Sequence, residues 1–123
     1  MRLVLESRPA WRAAVQSELE LLVLGEIERQ GLPAPEVQYW FRLPNGKRVR
    51  FDFAWPACTA LLEVDHPFWH AGVIASHRDK NRDLDMATVG WQTMRITDLD
   101  VNRGLKIAIA KVATILARRA RGT

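Results

Sequence analysis

The stretch FDFAWPACTALLEVDHPFWH, residues 51 to 70, sets Asp52, Glu63, Asp65, His66 and His70 among bulky apolar neighbours. Carboxylates gathered in a partly dry place have raised pKa values and cost stability unless a cation neutralises them. A hard divalent ion is the natural remedy. Magnesium prefers one or two carboxylates together with water and substrate phosphates, and the Val64 carbonyl, between the two strand acids, offers a further oxygen. Asp52, Glu63 and Val64 are therefore the candidate ligands for Mg2+ or Mn2+.

The elements that must position them follow from periodicity. Val15, Leu19, Leu22, Val23 and Ile27 recur at helical spacing, which predicts a helix over residues 9 to 30 stopped by Gly31. Residues 37 to 43 and 47 to 55 read as antiparallel strands around Asn45-Gly46, a dipeptide suited to the positive φ angles of a tight hairpin turn. Residues 60 to 65 form a third strand and 91 to 97 a fourth. A helix over 76 to 89, with Ser76 as its N-cap, lies between them and ends at Gly90. A last amphipathic helix spans 104 to 118. Alternation along the second strand predicts Arg50, Asp52 and Ala54 on one face, and Val49, Phe51, Phe53 and Trp55 on the other. In the third strand Glu63 and Asp65 share a side. If the strands pair, Asp52 and Glu63 lie side by side.

The 123 residues, 48% of them hydrophobic, suit one compact α/β domain over 1 to 123. No run resembles a signal peptide or a membrane span, so the default expectation is cytoplasmic, with no membrane partner. Cys58 is the single cysteine and cannot close an internal disulfide. The net charge of +4 fits a polyanion-binding protein as well as a solvated surface. Residues 1 to 70 carry 8 Lys/Arg against 9 Asp/Glu, and residues 71 to 123 carry 10 against 5. Arg42, Lys47, Arg48 and Arg50 add a basic cluster on the hairpin. The five tryptophans most simply supply core bulk. A nucleic-acid stacking surface would need them exposed.

One Asp on the second strand of a hairpin and an acidic pair on the next strand resembles the PD-(D/E)xK nuclease superfamily. The elements Asp52 to Pro56, Glu63-Val64-Asp65, His70, Arg78-Asp79, Arg82, Gly90-Trp91 and Arg95 resemble, in order and spacing, the very-short-patch-repair (Vsr) endonucleases and bacterial Vsr-like domains. Glu20, in the helix before GLPAPEVQY, matches their helix-one acid. The resemblance runs from about residue 17 to residue 97. It implies a restriction-endonuclease-like αβββαβ core, with a mixed four-stranded sheet flanked by helices and a C-terminal helix appended. The activity it implies is a metal-dependent DNA endonuclease or nickase of the kind used in restriction or repair. In that reaction the ion lowers the pKa of a bound water and polarises the scissile phosphate. His70 is then the general base or acid, its ordinary pKa of about 6.5 suiting proton transfer at neutral pH. Glu20 supports the metal site. Asp65 either holds the His70 ring, binds a second ion or positions the water.

Arg78, Arg82, Arg95, Lys47 and Arg50 are the expected DNA contacts, each neutralised phosphate adding a salt-dependent increment to affinity. Two departures stand out. Asp65 occupies the place where the superfamily carries Lys, and a carboxylate cannot stabilise a developing phosphorane charge as an ammonium does. The cysteines of the Vsr structural zinc are absent. The alternative reading is a catalytically weakened DNA-binding or regulatory module of a defence or toxin-antitoxin system. A third is a protein-interaction module whose basic surface meets an acidic partner. A nuclease this small often takes its specificity from a homodimer or a partner domain.

Overall fold

The computed structural model describes residues 18–65 and 73–122, the latter from 73 to 80 and at 122 by backbone only. Their order is α1 (Glu18–Arg29), β1 (Glu36–Arg42), β2 (Arg48–Trp55), a 3-10 turn (Pro56–Cys58), β3 (Ala60–Asp65), α2 (Val73–Thr88), β4 (Gln92–Thr97) and α3 (Asp98–Gly122). The strands form one mixed sheet in the order β1-β2-β3-β4, antiparallel across the first two pairs and parallel between β3 and β4. This is the α/β, four-stranded arrangement expected, flanked by helices and closed by a C-terminal helix. No helix among the described residues is long and apolar enough to cross a membrane.

Two apolar clusters hold the layers together. On one side Leu19, Val23, Leu24 and Ile27 of α1, with Ile109, Val112 and Leu116 of α3, pack on Phe53, Trp55, Leu62, Val64, Met94 and Ile96. On the other, Met86 of α2 packs on Leu43, Val49, Phe51, Ala54 and Leu61, and Trp91 stacks against Tyr39 and meets the edge of Phe41. Full burial of an aliphatic or phenyl side chain is worth about 1.5–3 kcal/mol, so these two clusters dominate the stability.

The details correct several expectations. The second helix begins at Val73, placing Ser76 inside its first turn and not at its cap. The last helix starts at Asp98 and bends at Gly104, whose φ of 135° no ordinary residue adopts readily. Its start is a capping arrangement: Thr97 N–H donates to Asp100 Oδ2 at 2.9 Å, and Asp100 N–H donates to Thr97 Oγ1 at 3.4 Å. At the hairpin turn only Gly46 takes a positive φ, not Asn45. Gly46 N–H donates to the Leu43 carbonyl and Leu43 N–H to the Lys47 carbonyl, a longer loop than a two-residue turn.

Arg119 ties the far end of α3 to the sheet. Its guanidinium donates to the carbonyls of Cys58 and Gly90, to Thr59 Oγ1 and to Gln92 Oε1. Cys58 itself is buried beside Leu116.

Removing the cap at the start of α3 tests this account of the helix. Asp100→Ala is expected to lower stability by about 1 kcal/mol, a drop of several degrees in thermal unfolding followed by circular dichroism. An unchanged midpoint would show that the α3 start does not depend on this cap.

Candidate functional site

One residue from each strand makes a rung across the sheet. Glu63 faces Arg95 on β4 directly. One step past the Phe53–Leu62 pair, Asp52 stands opposite Glu63. Gln38 lies between Val37 and Tyr39, which pair with Phe53 and Phe51, and so falls opposite Asp52. The apolar partners of the hairpin change sides at this rung: Val49 and Phe51 belong to the α2 cluster, Phe53 and Trp55 to the α1/α3 cluster. Tyr39 and Val37 divide the same way. Strict alternation would have kept all four β2 side chains on one face, so the expected Arg50–Asp52–Ala54 face is broken at Asp52. Gln38, with φ of 53°, carries the matching irregularity on β1.

The irregularity lets side chains take over from the ladder. Asp52 N–H donates to Glu63 Oε2 at 3.0 Å, and Val64 N–H donates to Asp52 Oδ2 at 2.8 Å. Each acid thus accepts a backbone proton from the other's strand. The N–H and carbonyl of one residue in an extended strand point the same way, so the Val64 carbonyl is also turned toward β2.

Both acids are largely removed from water, and this decides their charge. Desolvation by burial, then repulsion from Asp52, pushes the Glu63 carboxyl up to about 8, outweighing the Arg82 charge and the Asp52 N–H. Asp52 is also raised, again by desolvation, against the Val64 N–H and a hydrogen bond with the Glu20 carboxyl group. Glu20 is buried in α1, and its Oε1 accepts from Gln38 Nε2 at 3.4 Å. The structure therefore brings Glu20, Asp52 and Glu63 together. No group of three or more His, Cys, Asp or Glu side chains is preassembled as a metal-ligand set among the described residues.

Arg82 comes to the acids from α2. Its guanidinium lies 3.7 Å from Glu63 Oε2, donates to the Arg50 carbonyl at 2.8 Å and sits 4.5 Å from the Phe51 ring centre. Asp65 is turned to a different partner. Arg95 donates to both Asp65 oxygens, at 3.1 and 3.3 Å, and to Asp83 of α2 at 2.7 and 3.1 Å. Burial opposes the Arg95 charge, but the Asp83 and Asp65 carboxylates outweigh it and hold the guanidinium more firmly protonated than usual.

Of the other expected residues, Lys47 and Arg50 are exposed on the hairpin. His66 and His70 lie outside the described residues, as does the side chain of Arg78. Sequence reasoning missed Gln38 and Asp83. Gln38 had one available signal: a polar residue between Val37 and Tyr39, opposite the strand acid. Asp83 had none, because its partner is set by how α2 lies over β4.

Two relatives are the uncharacterized proteins MT2308 and Rv2248, from two strains of Mycobacterium tuberculosis. Each is 35% identical over 106 residues, 86% of this chain and 38% of the relative. The chain thus spans well under half the length of these curated relatives. No family profile matches the chain, and no solved structure is significantly similar to it.

The acid pair makes stability depend on pH. An unfolded Glu loses its proton near 4.5, while folded Glu63 keeps its proton to about 8. Between those values the folded form binds the extra proton, so raising the pH favours unfolding. The melting temperature is expected to fall by several degrees across this window, and Glu63→Gln should flatten the decline. An unaltered slope in that variant would place the pH dependence elsewhere.

Proposed function

We propose that this chain acts in the cytoplasm as a metal-dependent DNA endonuclease or nickase. What carries the reading is the desolvated Asp52–Glu63 pair, set where the strands hand their hydrogen bonds to side chains. An acid pair that costs stability when ionised is a ready host for a divalent cation. The donor set fits Mg2+ or Mn2+: carboxylate oxygens of Asp52 and Glu63 and the carbonyl of Val64, all hard ligands. Glu63 Oε1 takes part in neither the Asp52 N–H bond nor the Arg82 contact, both of which use Oε2. When bound, the ion would activate water and polarise a phosphodiester.

The chain's own residues supply the rest. Glu20 neighbours Asp52 as a hydrogen-bonding partner, and Gln38 donates to Glu20. Arg82 brings positive charge to the acids from α2, where the superfamily pattern would place it on β3. His70 is assigned the proton transfer on its motif position. Arg78, Lys47 and Arg50 are assigned to DNA, and a homodimer or partner domain to specificity.

A second reading, a weakened DNA-binding or regulatory module, draws on Asp65. That carboxylate stands at the usual Lys position and is committed to Arg95, so no ammonium serves the reacting phosphate there.

Magnesium is expected to raise the melting temperature of the wild type, more at pH 8 than at pH 5, and to support nicking of supercoiled plasmid. Asp52→Ala should lose both effects, with nicking falling at least about a hundredfold while DNA retardation in a gel persists. Retardation without cleavage under either metal would favour the binding module. Neither retardation nor cleavage would leave a protein-interaction role.

A further inference from the structure

Of the tryptophans whose side chains are described, Trp55 is buried and Trp91 is packed against the hairpin, but Trp40 is 51% exposed. It lies on the outer side of β1, directly across from Arg50. The guanidinium carbons of Arg48 and Arg50 are 4.6 and 5.7 Å from its ring centre. Exposed Arg42 and Lys47 extend the positive charge toward the turn. No acid from β1 or β2 stands on this face between Trp40 and the turn. At a strand rise of about 3.4 Å per residue, Arg50 is roughly 7 Å along the backbone from Asp52.

We propose that this face of the hairpin is a binding platform for unpaired nucleic-acid bases, with Trp40 as the stacking surface and Arg42, Lys47, Arg48 and Arg50 holding the flanking phosphates. The proposal deepens the nucleic-acid reading above and rests on it for the role of the neighbouring acids. An indole face can be reached by a base only when that base is out of a duplex stack, which selects single-stranded over paired substrate. The arginine layer does not block it. A cation over an exposed ring is worth about a 2- to 5-fold factor, whereas a base stacked on an aromatic side chain is worth about 5- to 150-fold. A displaced guanidinium gains a phosphate in exchange.

The test uses the full chain in EDTA, so that it reads binding alone. Fluorescein-labelled oligothymidine of about 15 nucleotides is compared by anisotropy with an abasic sugar-phosphate strand of equal length, a duplex of that length and a polyglutamate peptide. The wild type is expected to bind oligothymidine at least about fivefold more tightly than each of the others. Trp40→Ala should remove that margin over the abasic strand while changing abasic binding less than twofold, and Trp40→Phe should keep most of it. Arg48→Ala should weaken both single strands and flatten their salt dependence by about 0.7 per phosphate lost. Equal wild-type affinity for oligothymidine and abasic strand, or a Trp40→Ala protein with an undiminished margin, overturns the stacking role. Tighter binding of duplex or polyglutamate overturns the single-strand assignment. Failure of plasmid nicking with this pattern intact would count against the nuclease reading alone.

Discussion

A reciprocal pair of backbone-to-carboxyl hydrogen bonds across β2 and β3 is the constraint around which this protein is arranged. Asp52 and Glu63 each accept an N–H from the neighbouring strand, at the row where β2 and β3 stop behaving as a regular ladder. A buried N–H without a partner is costly, so these bonds repair the sheet locally. The repair brings two acids into a place with little water, where neither ionises at its ordinary pH. Reactive potential and structural cost thus come from the same atoms.

The surrounding elements make that arrangement tolerable. The hairpin changes its apolar partners at Asp52 and Gln38, so its tip packs on α2 while its base packs on α1 and α3. That switch leaves the outer side of the tip, with Trp40, Arg48 and Arg50, beyond the cover of α1. Glu20 closes the site from α1 and Arg82 from α2, giving the acids one carboxyl neighbour and one cationic neighbour. Arg95 fixes α2 to the sheet by joining Asp83 to Asp65. A pair of carboxylates meeting one guanidinium offsets much of the desolvation that a single ion pair would leave uncompensated.

Local chemistry in the sequence accounts for the element order, because strand alternation, Asn45-Gly46, Gly31 and Gly90 are all short-range signals. The pairing of Asp52 with Glu63 was legible too, since it needs only two adjacent strands and their register. Parity failed at Asp52 because alternation assumes an unbroken strand, and the break is a response to two separate layers of helix. The first residues of α3 were missed because Gly104 reads as a helix boundary, although the cap lies at Thr97 and Asp100. The destination of Asp65 was illegible for another reason: Arg95 is 30 residues away, and only the parallel pairing of β3 with β4 makes them neighbours.

The anchoring of Arg119 ties the C-terminal helix to the connection that joins the two acid-bearing strands. Its guanidinium grips the turn at Cys58 and Thr59, the link between the strands that carry Asp52 and Glu63, and also the start of β4. The last turn of α3 thus braces the connection between the two acid-bearing strands.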